Sequence, residues 1–94
     1  MVVTYNVVQS TTSLTQTELN TLGSSNWDLL TVLQDGIGYH YVFWNSGSAV
    51  TYRVIYISDE DIEATLQVEG DNDFTVITHI DTGVGRQFIF KETP

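Results

Sequence analysis

The sequence contains no cysteine among its 94 residues. A disulfide framework, a thiolate nucleophile and a zinc–thiolate site are therefore excluded, although the absence leaves the cellular compartment undecided. Hydrophobic residues make up 41% of the chain, which is ordinary for a folded protein, so we expect little disorder. A chain of this length forms one small domain, or two very small units that share a core.

Basic residues are scarce, because three Lys and Arg stand against twelve Asp and Glu and the formal net charge is −9. Such a surface repels the phosphates of nucleic acids, so we expect no nucleic-acid partner. Most of the acidity lies in segment 59–73, where acids outnumber bases most strongly.

Long apolar runs are also missing, since no stretch approaches the roughly 18 residues of a membrane-spanning helix. The amino terminus lacks a basic segment followed by an apolar one, which is the pattern of a secretory signal. We therefore expect no membrane partner and no export by a signal of the chain's own.

The sequence does contain an internal repeat, which aligns without a gap at an offset of 47 residues. Chance does not hold one register over so long a stretch, so we interpret the chain as a tandem duplication. The identical pairs include Val3 with Val50, Tyr5 with Tyr52, Val7 with Val54, Leu19 with Leu66, Gly23 with Gly70 and Phe43 with Phe90.

Each copy of the repeat has the pattern strand, helix, strand, strand. Segments 2–9 and 49–57 are rich in β-branched and aromatic residues, which favours strands. Thr15 and Glu18 have the spacing of a helix capping box, and Gly23 and Gly70 are placed to end the two helices in the left-handed conformation. Segments WDLLTVLQ and FTVITHID, each followed by a glycine-containing turn, predict two β-hairpins.

These patterns predict an α+β fold in which residues 1–94 form a single domain of two internal repeats. The first unit spans residues 1–47 and the second spans 48–94. Each unit contributes an antiparallel sheet and one helix, and we expect the two tandem β-α-β-β units to pack with pseudo-twofold symmetry.

Three stretches of the first unit, TYNVV, LNTLGSSNWDLLTV and YVF, lie between residues 3 and 44. They resemble the pattern of a family of small domains of unknown function found in bacteria and phages. Asn26 stands in place of the family's second glycine, and Phe74 stands in place of its tryptophan in the second unit. The resemblance implies a compact β-α-β-β unit and no activity.

The motifs that could carry chemistry are better explained as structure. The segments DGIG and TGVG lack the full glycine pattern of a phosphate loop and do not open a helix. His40 and His79 have no second histidine at ligand spacing, and EGDNDF lacks the alternating acids and distant glutamate of a calcium loop. We therefore expect no enzyme activity, no cofactor and no metal site.

Strand alternation assigns two faces to each predicted sheet. The helix-covered face of the first unit is expected to hold Tyr5, Val7, Trp27, Leu29, Leu33, Tyr41 and Phe43. Its second face is expected to hold Val8, Leu30, Val32, Val42 and Trp44. The corresponding second-unit sets are Tyr52, Val54, Phe74, Val76, Ile80, Phe88 and Phe90 under the helix, and Ile55, Ile57, Ile77 and Ile89 opposite.

The second faces are too apolar to be exposed to water, so we expect each to be covered by the other unit or by another chain. The candidate partner-binding residues are Trp44, Val42, Val32 and Leu30. Trp44 is the strongest of them, because its counterpart Lys91 suggests a position off the symmetric contact, where an aromatic side chain anchors a partner. The alternative is that Trp44 folds over the linker and packs internally.

The sequence as a whole predicts a non-catalytic phage structural protein, such as a capsid-decorating, head-to-tail or tail component. Its expected partners are proteins, either other virion subunits or itself, and its expected location is the virion, or otherwise the cytoplasm. This expectation depends on the family resemblance, the strand-rich composition and the duplication. The alternative is a small acidic phage or bacterial regulator that inhibits a host protein through segment 59–73.

Overall fold

The computed structural model describes residues 2–93 and confirms the α+β class, with two antiparallel sheets and two α-helices. Within this range no helix is both long and apolar enough to cross a membrane. The elements are β1 (Tyr5–Ser10), α1 (Gln16–Ser24), β2 (Trp27–Gln34), β3 (Tyr39–Asn45), β4 (Tyr52–Tyr56), a short 3-10 helix (Asp59–Asp61), α2 (Ile62–Asp71), β5 (Phe74–Thr82) and β6 (Gly85–Glu92).

The two sheets have the same topology. Each has three strands, in the order β1-β3-β2 in the first half of the chain and β4-β6-β5 in the second. A β-bulge interrupts β2 between Leu29 and Thr31, and another interrupts β5 between Val76 and Thr78, the positions 47 residues later. In both sheets the last two strands form a hairpin, and the first strand pairs with the last strand, which is therefore central.

Helix α1 begins at the predicted capping box. The backbone N–H of Glu18 donates to the Thr15 hydroxyl at 3.2 Å, and the Glu18 carboxylate accepts from the Thr15 N–H at 3.0 Å. Leu14 before the cap and Leu19 in the helix are both buried, as expected for a hydrophobic staple. The cap satisfies two N–H groups that the first helical turn otherwise leaves without partners.

The two helix ends differ from the prediction. Gly23 and Gly70 lie inside α1 and α2 and do not adopt positive φ. Asn26, at φ 71°, and Asp73, at φ 65°, take the left-handed positions instead. Short polar side chains tolerate this conformation, so Gly23 and Gly70 are not the left-handed residues that end the two helices.

The register between β1 and β3 reverses the predicted faces of β1. Tyr5 lies opposite Trp44, and Val8 lies opposite Tyr41. Residues directly opposite each other share a face, so Tyr5 and Val7 lie with Trp44 and not under the helix. The prediction was wrong because alternation within one strand does not determine its register with the next strand.

The bulge in β2 has a similar effect. Leu29 lies on the core face, and Val32, three residues further on, lies opposite Tyr41 on that same face. In an unbroken strand Val32 would lie on the other face, which was the prediction, and Leu33 would lie in the core. The extra residue at the bulge reverses the alternation after Leu29, so both assignments were wrong.

The second sheet shows the same reversal of its first strand. Val54 lies opposite Ile89 and Ile55 lies opposite Phe88, and Phe88 belongs to the cluster beneath α2. Tyr52 and Val54 therefore lie on the face away from α2, contrary to the prediction.

The main hydrophobic core is shared by both halves of the chain. Fully burying a large apolar side chain contributes about 1.5–3 kcal/mol, so this shared cluster holds the halves together. Its buried members are Leu14, Leu19, Leu29, Tyr41, Phe43, Tyr52 and Ile89. A smaller cluster beneath α2 contains Ile57, Phe88 and Phe90.

Helix α1 also binds the outer edge of the second sheet. Strand β4 is an edge strand, and the N–H groups along such an edge need partners. Three N–H groups on or just before β4 find them on α1. The bonds run from Val50 N–H to Gly23 O (3.0 Å), from Tyr52 N–H to Asn20 Oδ1 (2.6 Å) and from Val54 N–H to Gln16 Oε1 (3.0 Å).

Gly23 is a glycine because of this contact. A Cβ built at position 23 would clash with the carbonyl oxygen of Val50 and touch the ring of Tyr52. The close approach of β4 to α1 therefore excludes every larger side chain.

The predicted pseudo-twofold symmetry is not confirmed. A twofold axis would repeat every contact in reverse, so the contact between Gly23 and Val50 would have a counterpart between Gly70 and Val3. Among residues 2–93, nothing beyond neighbouring positions of its own helix comes within 4 Å of a Cβ built at Gly70. The first half contributes α1 and the edge of β2 to the contact, whereas the second contributes the edge of β4 and a sheet face. Strands β2 and β5 also meet, where the Gln34 side chain bonds to the backbone of Asp81, the equivalent position of the repeat.

Candidate interaction surface

The face of the first sheet that points away from the core is apolar and exposed. We name it the open face and define it as Tyr5, Val7, Leu33, Val42 and Trp44. Cross-strand pairing brings Tyr5 beside Trp44 and Val7 beside Val42. The exposed fractions are 61% for Tyr5, 58% for Val7 and 57% for Leu33. A solvated sheet face is normally polar, so this one has the character of a contact surface.

The equivalent face of the second sheet is buried. Tyr52, the repeat partner of Tyr5, is only 1% exposed, and Ile80, the partner of Leu33, is completely buried. The same positions are therefore covered in one sheet and open in the other.

Of the four candidate partner-binding residues, the structure brings Trp44 and Val42 together on the open face, where both are half-buried. Leu30 lies at the bulge and is 47% exposed. Val32 lies on the opposite face, where it packs against the main core, so it cannot share a surface with Trp44. The bulge separates them.

Sequence reasoning missed Tyr5, Val7 and Leu33 as members of this surface. Tyr5 and Val7 alternate along β1 and so share a face. Had the register of β1 with β3 been known, their pairing with Trp44 and Val42 would have placed them on this surface. Leu33 requires knowledge of the bulge, for which no glycine or proline in β2 gives a signal.

Polar groups lie at the rim of the open face. His40 is opposite Leu33, and its Nε2 lies 2.7 Å from the Asp35 carboxylate. The pKa of Asp35 is lowered, first by the N–H of Ile37 and then by His40 and the N–H of Gly38. At the opposite end Asp28, beside Trp44, forms an ion pair with Lys91 at 3.2 Å. An apolar centre with a polar rim is the usual composition of a protein interface.

The buried tyrosines act as hydrogen-bonding groups. The Tyr52 hydroxyl donates to Trp27 O and accepts from Leu29 N–H, both at 2.7 Å, and burial raises the pKa of Tyr52 well above its usual range. The Tyr41 hydroxyl accepts from Leu14 N–H at 2.8 Å, and burial likewise raises the pKa of Tyr41. Both phenols are held neutral and serve the core.

A concave region of about 710 Å³ lies elsewhere on the molecule, between the end of β4 and the β5–β6 hairpin. Its one cationic side chain, Arg86, already pairs with Asp59 at 2.9 Å and Asp81 at 3.2 Å. In the part of the chain that the structure describes, no three His, Asp or Glu side chains are grouped to hold a metal ion. The open face is therefore the stronger candidate for a functional surface.

No protein family, no curated protein and no solved structure matches this chain.

Proposed function

We propose that the protein is a non-catalytic structural protein that acts by protein–protein contact through its open face. The observation that carries this proposal is the exposure of Tyr5, Val7 and Leu33 on one side of a regular sheet. Leaving large apolar side chains in water forgoes about 1.5–3 kcal/mol each. A partner that covered this face would recover that free energy.

The finer organisation is part of the same proposal. Residues 1–47 and 48–94 are two copies of one unit that form a single domain. Support comes from the shared strand order and from bulges at equivalent positions of β2 and β5. Duplication gives a small chain two sets of contact surfaces, one of which joins the halves.

The setting that we propose is a phage particle, with the chain as a capsid-decorating, head-to-tail or tail component. This part of the proposal is supported by the resemblance of segments TYNVV and LNTLGSSNWDLLTV to a family found in bacteria and phages. It also fits a chain whose exposed apolar surface suits permanent contact with other subunits.

The test is to quantify the chain in purified particles encoded by the genome that carries its gene. We expect a fixed number of copies per particle that survives high-salt washing, with an early protein of the same genome as the control. Trp44→Ser should reduce this number, whereas Ile37→Ser, at an exposed turn position, should leave it unchanged. Absence of the chain from washed particles would contradict the virion role.

One observation favours a second function, an acidic regulator that binds a host protein. The 3-10 helix and the start of α2 expose four acids, Asp59, Glu60, Asp61 and Glu63. Arg86 pairs with Asp59 and leaves the others to solvent or a basic partner. Capsid and tail genes beside this gene support the structural role, whereas early genes there support the regulator.

A further inference from the structure

The contact between the two halves joins two unlike surfaces, and each surface occurs a second time in the chain. We name the surface on the first half the helix surface, made of Gln16, Asn20 and Gly23 with the start of β2. Its counterpart, 47 residues later, consists of Glu63, Gln67 and Gly70 with the start of β5, and all three helix residues are exposed. The surface on the second half is the sheet face that contains Tyr52, Ile80 and Ile89, all buried. Its counterpart in the first half is the open face.

We infer that the open face of one copy of this chain docks on the second helix surface of another copy, by the same contact that joins the two halves. This inference rests on the proposed function, because it takes the halves as copies of one unit and the open face as the contact surface. It adds the identity of the partner, which is a second copy of the chain.

Gly70 is the strongest support for this partner. It is exposed, it lies inside α2 and it has no positive φ, so nothing in its own half requires a glycine, which weakens a helix relative to alanine. At the equivalent position, Gly23 is needed because β4 passes too close for a side chain. An incoming strand β1 would impose the same requirement on Gly70.

The hydrogen-bonding groups also match. The first half offers the N–H groups of Val3, Tyr5 and Val7 at the positions that Val50, Tyr52 and Val54 occupy in the second. The second helix surface offers the carbonyl of Gly70 and the side-chain oxygens of Gln67 and Glu63 as acceptors. Glutamate in place of Gln16 keeps the acceptor, and a carboxylate is the stronger one.

The Tyr5 hydroxyl has an equivalent site to fill. In the chain, the hydroxyl of Tyr52 bridges Trp27 O and Leu29 N–H at the edge of β2. The corresponding groups at the edge of β5 are Phe74 O and Val76 N–H. Val76 is 41% exposed although its counterpart Leu29 is 2% exposed, as expected if a covering layer is missing from this end.

In the contact between chains, apolar residues of the open face would replace the equivalent residues of the second sheet that are buried between the two halves. Val42 and Leu33 would take the places of Ile89 and Ile80, which are fully buried. Trp44 would take the place of Lys91, and Thr75 would take the place of Asp28, the partner of Lys91. An ion pair is thus replaced by an uncharged contact, which makes association between chains less sensitive to salt.

Apart from Gln34 and Asp81, which occupy equivalent positions and bond to each other within the chain, the contact joins unlike surfaces, so it can propagate. Each added copy brings one new open face and uses the previous copy's free helix surface, which produces a ring if the rotation closes and a filament if it does not. A dimer with two equivalent open faces buried against each other is a different arrangement, and the experiment below separates the two.

The experiment measures the mass of the full chain by sedimentation velocity over about a hundredfold range of concentration. Two variants block opposite ends: Gly70→Leu on the second helix surface and Val7→Lys on the open face. Their matched controls are Val68→Leu, on another side of α2, and Ile37→Lys. The repeat partners of these control positions, Thr21 and Val84, are both exposed, so the controls lie outside the contact.

We expect the parent chain and both controls to rise above the 10.5 kDa monomer with increasing concentration. Each blocked variant alone should remain monomeric. In an equimolar mixture, the open face of the Gly70→Leu variant can still dock on the second helix surface of the Val7→Lys variant. The mixture should therefore stop at a dimer, because the other two surfaces are blocked. Tyr5→Ser replaces Val7→Lys if circular dichroism shows the latter to be unfolded. Leucine at an exposed helical position does not threaten the fold.

Two results would overturn the inference. A parent chain that stays monomeric throughout would exclude self-association, and the proposed function would survive if Trp44→Ser still reduced the copy number in particles. A Gly70→Leu variant that associates like the parent would show that the open face pairs with itself or with another surface. A parent chain that neither self-associates nor remains on washed particles would remove the proposed function as well.

Discussion

The hydroxyl of Tyr52 lies 2.7 Å from the carbonyl oxygen of Trp27 and donates a hydrogen bond to it. The same hydroxyl accepts from the N–H of Leu29, so one side chain of the second half satisfies two backbone groups of the first. A phenol that caps a strand edge in this way connects the two halves through both polar and apolar contacts.

Tyr52→Phe should therefore lower the free energy of unfolding by about 1–3 kcal/mol, because it leaves the buried N–H of Leu29 without a partner. The matched control is Tyr5→Phe, whose parent side chain is 61% exposed and whose effect should stay within about 0.5 kcal/mol. Urea denaturation of dilute protein measures both. Equal effects of the two substitutions would contradict the assignment of Tyr52 to the core.

Stability should fall at alkaline pH. Folding raises the pKa values of Tyr41 and Tyr52 through burial, whereas in the unfolded chain both titrate near the ordinary value of about 10. Above that pH the unfolded chain binds fewer protons than the folded one, so the free energy of unfolding decreases as the pH rises. The urea midpoint should be level below about pH 9 and then drop.

The control for the alkaline effect is Tyr52→Phe, in which part of the drop should disappear. A parent midpoint that does not change up to pH values well above 10 would show that the two phenols titrate normally in the folded protein.

The two equivalent glycines should respond in opposite directions to alanine. Gly23→Ala forces β4 away from α1 and should cost about 1–3 kcal/mol. Gly70→Ala, in an exposed helical position, should instead stabilise the dilute monomer by about 0.5–1 kcal/mol. Thermal and urea unfolding measure the pair, and equal signs would contradict the close approach at Gly23 or the openness at Gly70.

The two halves should unfold together. The main core takes Leu19, Tyr41 and Phe43 from the first half and Tyr52 and Ile89 from the second. The full chain should therefore show one calorimetric transition, and residues 1–47 alone should be unfolded or oligomeric, because their core face would be uncovered. Two separate transitions would argue against a shared core.

Substitution of the two tryptophans should have different effects, one on stability and the other on assembly. Trp27 packs against the main core, so Trp27→Ser should destabilise the chain by about 3 kcal/mol, near the low end for a buried aromatic side chain. Trp44 lies on the open face, and Trp44→Ser should keep the circular dichroism spectrum while weakening assembly. A Trp44→Ser protein that unfolds would instead support internal packing of Trp44.

Local features of the fold could be predicted from the sequence because they depend on neighbouring residues. The capping box of Thr15 and Glu18 and the order of strands and helices belong to this class. The faces of the sheets do not, because the register of β1 with β3 and the bulge after Leu29 depend on packing between distant segments. Trp44 and Val42 do lie on the face away from the core, as the alternation in β3 predicts. Tyr5, Val7 and Val32 lie on the faces opposite to those predicted.

The misassigned glycines show the same limit. A glycine near the end of a helical pattern is commonly the left-handed residue that terminates it, and Gly23 fits that rule in sequence. Its actual constraint comes from Val50, which a later strand brings against the helix. A steric requirement between two segments gives no local signal, although the recurrence of glycine at position 70 is compatible with both explanations.

The short connection between β3 and β4, residues 46–51, has a thermodynamic consequence. It tethers β4 to α1, so this contact forms at an effective concentration in the millimolar range, independent of how much protein is present. An identical contact between separate chains must also overcome the loss of translational and rotational freedom. The tethered contact is thus complete in every folded molecule. The proposed contact between chains would have a concentration threshold, so the amount of protein made in the cell would set when assembly begins.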